Sequence, residues 1–145
     1  MSRVLLSVFV MVLLAAAHGQ TNSILGNWTN PTGSTIQIYQ CGPAICAKLV
    51  AISKDAPGRV DTKNPDPALR GRSLCGLVIG KDFESVSPSR AQGGKLYDPK
   101  SGKTYTGSMT REGDKLKLRG YVGIPLFGRT ETWSRAPDNI AACHS

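Results

Sequence analysis

Between Ser53 and Ser73 the chain reads "SKDAPGRVDTKNPDPALRGRS", and the side chains best suited to chemistry gather there: Asp61, Asn64 and Asp66, then Arg70 and Arg72. Two carboxylates in one loop could divide general acid and base work or, with the amide oxygen, surround a divalent cation. The spacing is not that of an EF-hand, and Pro65 and Pro67 stiffen the loop, so no metal is assigned. The two arginines favour a plainer role, ion pairs that pin the loop to the rim of a scaffold. Recognition of a polar ligand by the same side chains is the alternative, because loops on a rigid frame are where recognition concentrates. Asp66 is placed to cap, and Pro67 to start, a single helical turn.

Nucleophilic catalysis lacks its usual base. Of two histidines, His18 stands near the N-terminus and His144 one residue from the other end, so a Ser-His-Asp or Cys-His group would have to be built on a tail. The segment "SGKT", Ser101 to Thr104, ends like a phosphate loop, but Tyr97 stands where the first glycine is required. The chain therefore reads as non-enzymatic and without a cofactor, and an enzyme using Asp61 and Asp66 is the remote alternative. Lys115, Lys117 and Arg119 alternate on one short run, but aromatics are 6% of residues and none interleaves with these cations. No nucleic-acid partner is expected, and a transient contact with an envelope or membrane surface remains open.

These side chains need a compartment and a frame. Residues 1–19 carry Arg3, an apolar run from Val4 to Leu14 and the small residues Ala15 to Ala17, the order of a secretory signal peptide and too short to span a bilayer. Residues 20–145 are long enough for one core and too short for two. The net charge of +8 implies a basic surface. Four cysteines, Cys41, Cys46, Cys75 and Cys143, read as disulfides in an oxidising compartment, with three connectivities open. The turn in "CGPAIC" favours Cys41 with Cys46, leaving Cys75 with Cys143, unless Cys143 is free on a frayed tail.

Period-two patterning dominates the rest. Ile36 and Ile38 alternate with Gln37, and Leu116 and Leu118 alternate with lysines, so each run has a core face and a wet face. Turn residues at 98–102 and 113–114 divide residues 93–135 into a four-strand meander, and 24–30, 34–40, 45–52 and 74–80 supply four more strands. About eight short antiparallel strands without intervening helices predict an up-and-down β-barrel.

Several segments, "GNW", "CGPAICAKLV", "DTKNPDPALRGRSLCGLVI", "GGKLYDPKSGKTYTGSM" and "LKLRGYVGIPLFGRTETWSR", resemble in order a family of small exported bacterial proteins, domain of unknown function 2147. That resemblance implies a Gram-negative source and a periplasmic or secreted location, and it lends no activity. A second resemblance is architectural. Lipocalins begin their barrel with Gly-x-Trp and pack an arginine from near the chain end across that tryptophan, and Gly26, Trp28 and Arg135 are similar in type and placement. The Thr-Asp-Tyr motif of lipocalins is missing.

A lipocalin-like barrel of eight strands is just wide enough to hold one small ligand or to be filled by its own side chains. The expected inward set is Ile36, Ile38, Tyr105, Met109, Leu116 and Leu118, with Tyr121 as a second phenol. Gly107 and Gly120 leave volume among these large residues unless a neighbour takes it. The expectation is an exported binding protein for a small apolar or amphipathic ligand, with a solid-core interaction module of the envelope as its rival.

Overall fold

The computed structural model describes residues 22–143. The expected signal peptide with His18, and His144 at the other end, lie outside the described residues. Eight antiparallel strands close into a barrel in chain order: β1 Gly26–Thr29, β2 Thr35–Cys41, β3 Ala44–Ala51, β4 Val78–Ser87, β5 Arg90–Asp98, β6 Lys103–Glu112, β7 Lys115–Tyr121 and β8 Arg129–Arg135. The alternation does what its period dictates. Ile36, Ile38, Leu116 and Leu118 are each at most 2% exposed, while Lys115 and Lys117 face solvent.

One strand departs from expectation. Residues 74–77 form a turn closed by the Leu77 N–H on the Leu74 carbonyl, so β4 begins at Val78 rather than at 74 and runs on to Ser87. Within β4, Asp82 takes a left-handed φ of 61° and two steps on β3, Ile45 to Ala47, oppose three on β4, Phe83 to Gly80. This bulge breaks the period and turns Phe83 into the barrel.

Because each strand pairs antiparallel with the next, the loops sort into two ends. The base carries the turns at 42–43, 88–89 and 113–114 together with the start of β1 and the end of β8. The upper end carries 30–34, the long excursion 52–77, 99–102 and 122–128.

The base is shut by Trp28, fully buried, whose Nε1 donates to the Ile24 carbonyl at 2.8 Å. The Arg135 guanidinium lies over its ring, 5.0 Å from the centroid, and donates to the Leu25 carbonyl at 2.7 Å; Arg111, which the sequence pattern did not single out, sits 5.5 Å from the same ring. A Cβ on Gly26 would fall 2.4 Å from Arg135 Nη2, and φ at Gly26 is +116°, so glycine is required twice over. Removing the stacked cation and its aliphatic stem in Arg135→Ala should cost about 1–2 kcal/mol and shift Trp28 emission, as measured by denaturant titration and fluorescence. Unchanged stability and emission would mean that the contact carries nothing.

Both expected disulfides are present, Cys41–Cys46 across the β2–β3 turn and Cys75–Cys143 across 68 residues. The second one fastens the C-terminal tail to the upper end, where the Cys143 N–H donates to the Val50 carbonyl at 2.8 Å.

Candidate functional site

The loop cluster is real and serves as an anchor. Asp61 is fully buried. Its Oδ1 accepts from the Tyr97 hydroxyl at 2.5 Å, and its Oδ2 from Asn64 Nδ2 at 2.8 Å and from Arg72 Nε and Nη2 at 2.9 Å each. Arg70 joins indirectly, donating through Nε to the Asn64 carbonyl at 2.8 Å. Asp66 stands apart: its carboxylate is exposed and accepts from the Ala68 N–H, capping the short turn Pro67–Leu69. The partner invisible in the loop itself is Tyr97, 36 residues further on in β5.

Burial pushes the Asp61 carboxyl up, but hydrogen bonds from Tyr97, Asn64 and Arg72, with the Arg72 charge, outweigh it and hold the group below its ordinary value of 3.8. Tyr97 moves the other way. Burial and the neighbouring Asp61 carboxylate raise its phenol above 10.0. An ionised carboxylate with both oxygens engaged holds the loop on the barrel wall.

Asp61→Asn leaves Arg72 without its counter-charge and should destabilise by about 3 kcal/mol, the low end for a buried pair because the Arg72 side chain is 35% exposed. The lowered folded pKa fixes the pH window. The contribution is fully present above the unfolded value of about 3.9 and is lost as acid carries the pH down through the folded value. The gap in stability between wild type and variant should therefore begin to narrow below about pH 4 and close only as the pH falls past the folded value. A constant gap across that window would contradict the anchoring role.

Beneath the anchored loop, on the outer wall, an open cleft of about 420 Å³ is lined by Arg72, Ile79, Lys81, Lys95, Tyr97 and Thr104 among others. Lys81 pairs with Lys95 in register. Both are exposed and alternate with the inward Gly80 and Gly94, so the cleft opens away from the barrel interior.

Inside the barrel the space expected beside Gly107 is occupied. A Cβ built on Gly94 would fall 2.2 Å from the Phe83 ring, and one on Gly107 3.4 Å from it, so the fully buried Phe83 fills the hollow that these glycines leave. Ile36, Ile38, Met109, Leu116 and Leu118 are packed into one core with it and with Trp28 and Trp133. Tyr121 also departs from expectation: it adjoins Gly120, whose Cβ direction meets Tyr105, and by alternation its side chain faces outward.

Above this floor the inward positions turn polar and exposed. Leu118, inward and 2% exposed, pairs with Glu131, and Gly120 pairs with Arg129. Alternation from the buried Trp133 carries Glu131 and Arg129 inward as well, yet both are exposed. Trp133 Nε1 donates to Glu131 Oε1 at 2.6 Å, fixing a carboxylate on the roof of the core. Leu96 and Tyr105, cross-strand partners, complete this inward tier and are half-buried. Glu131 and Arg129 escape a sequence search because they stand in an even run of polar residues, Arg129 to Thr132, in which neither face looks apolar.

A closed eight-strand antiparallel barrel, shut at one end by a tryptophan under an arginine, is a lipocalin-like fold. The solved structure titled "Protein HP1028 from the human pathogen Helicobacter pylori belongs to the lipocalin family" is similar to it, with a TM-score of 0.72 and 25% sequence identity over 80% of this chain and 84% of that one. The chain itself belongs to the family described as "Uncharacterized protein conserved in bacteria (DUF2147)", which matches residues 26–135. No curated protein matches it. The two disulfides and the bacterial family fit an extracytoplasmic protein.

Proposed function

We propose that this protein is a non-enzymatic carrier or scavenger, exported by cleavage of residues 1–19 to the periplasm or beyond, whose barrel domain, residues 20–145, holds one small apolar or amphipathic ligand at its upper end. The observation that carries this reading is the pair of inward-facing yet exposed side chains, Glu131 and Arg129, standing directly above a fully packed floor. A solid-core module would have closed that tier with apolar residues. Here Leu96, Tyr105 and Gly120 offer an apolar wall, and Glu131 and Arg129 offer polar anchors of both signs, the mixture that ordinary ligand pockets use. The Tyr105 hydroxyl is a third polar group for the ligand head. Tyr121, Ile36, Ile38, Gly107, Met109, Leu116 and Leu118 are not part of this contact surface; the last six support it from below.

The test is a fluorescence titration of the purified protein with anilinonaphthalene sulfonate, an amphipathic probe that brightens in apolar surroundings. Saturable, one-to-one binding is expected, weakened by roughly tenfold or more in Gly120→Leu, whose side chain would occupy the space beside Tyr105. A thermal melt confirms that the variant is folded. Unsaturable binding, or binding indifferent to Gly120→Leu in a folded variant, would exclude the upper end as the site.

A further inference from the structure

The β7–β8 connection reads "VGIPLFG" and does the opposite of what a surface loop should. Val122, Ile124, Leu126 and Phe127 are 69%, 52%, 77% and 78% exposed, the four most exposed large apolar side chains among the described residues. A chain in water does not display four such groups together without an apolar destination. Nor is the loop slack. Its 3-10 turn, Pro125–Phe127, is closed by the Phe127 N–H on the Ile124 carbonyl and by the Gly128 N–H on the Pro125 carbonyl. From the barrel wall Arg119 braces it, donating through Nη2 to the Pro125 carbonyl at 2.6 Å and through Nη1 to Thr130 at 3.2 Å.

The surroundings are cationic. Arg119 and Arg129 flank the loop, and the neighbouring hairpin at the same end carries Lys100 and Lys103 with one carboxylate, Asp98, which is taken up by the Lys100 N–H and the Ser101 hydroxyl, while Thr106 of that strand pairs with Tyr121. Among the described residues Arg129, Lys100 and Lys103 have no carboxylate within ion-pair distance, and no acidic residue lies between Lys115 and Glu131. The chain as a whole is +8. An apolar prow with cations behind it, projecting rather than hollowed, complements a surface that is anionic outside and hydrocarbon within.

We propose that the Val122–Phe127 loop docks the protein on an anionic phospholipid bilayer, with Leu126 and Phe127 entering the interfacial region and Lys100 and Lys103 resting on the headgroups. The upper end of the barrel then faces the membrane. This surface stands independently of the ligand pocket.

The experiment uses the whole purified protein, vesicles of phosphatidylglycerol and phosphatidylcholine in equal parts, and vesicles of phosphatidylcholine alone. Co-sedimentation should show binding to the anionic vesicles that weakens with added salt and is much poorer on the neutral ones. The double variant Leu126→Ser, Phe127→Ser should lose roughly tenfold or more of that binding with its melting temperature intact, because both side chains are exposed. In Phe127→Trp the emission should shift to the blue on anionic vesicles. Gly120→Leu should leave vesicle binding unchanged while losing the probe, which separates failure of this proposal from failure of the pocket. Full binding by the double variant, or no vesicle binding at all, would overturn the proposal, and so would a dimer in sedimentation that the double variant dissolves, since the loop would then be covered by a second copy.

Discussion

Phe83→Ala is expected to destabilise the protein by about 3–5 kcal/mol, the range for truncating a fully buried aromatic ring. The expectation rests on where the ring sits. The Asp82 bulge delivers it to the barrel interior, where it is 0% exposed and lies against the positions of Gly80, Gly94 and Gly107. These glycines cannot collapse onto the hole, having no side chains to extend, so the cavity term is retained in full. A reciprocal test follows from the same geometry. Gly94→Ala, whose Cβ would fall 2.2 Å from the ring, should destabilise by about 1–3 kcal/mol through overpacking. That penalty should vanish in the Phe83→Ala background, because the obstruction is gone. Additive losses in the double variant, read by urea denaturation, would show that the ring and the glycine do not meet.

Replacing Cys75 and Cys143 together by alanine should cost about 4 kcal/mol, against about 2 kcal/mol for the Cys41 and Cys46 pair. The difference comes from loop length in the unfolded chain: the first bridge spans 68 residues and the second 5. The native state contributes as well. Freed from the clasp, the tail loses the Cys143 bond to Val50, and with it the hold on the segment between β3 and β4 that also carries the Asp61 anchor. Equal losses for the two double variants in a denaturant titration would mean that chain entropy is not what the long bridge supplies.

The barrel and its base were legible because their signals are local. Hydrophobic alternation in β2 and β7 and turn residues at 98–102 and 113–114 lie within a few residues of the structure they specify. Gly26, Trp28 and Arg135 met as the resemblance implied, since an invading guanidinium leaves room for no side chain at Gly26. Phe83 was hidden for the opposite reason. A bulge at Asp82 shifts the phase of β4, and no pattern of period two reveals a residue that has changed faces. The glycines at 80, 94 and 107 were the available clue, three inward positions whose missing volume some large side chain had to supply. The loop carboxylates show a related limit. Asp61, Asn64 and Arg72 are close in sequence and do meet, but Tyr97, which turns the cluster into an anchor, is brought in by the barrel. Glu131 and Arg129 owe their significance to the tier on which they stand, and that follows from the register of β7 with β8 rather than from their own neighbours.

The most direct test of a ligand site at the upper end is a two-dimensional amide NMR titration of the isotope-labelled protein with a single-chain amphiphile such as dodecanoate, below its critical micelle concentration. Saturable shifts are expected at Leu96, Tyr105, Gly120, Arg129 and Glu131, with the amides of Trp28, Ile38 and Leu116 in the packed floor unmoved. Shifts confined to Lys81, Lys95 and Tyr97 on the outer wall, or none at any ratio of ligand to protein, would contradict it.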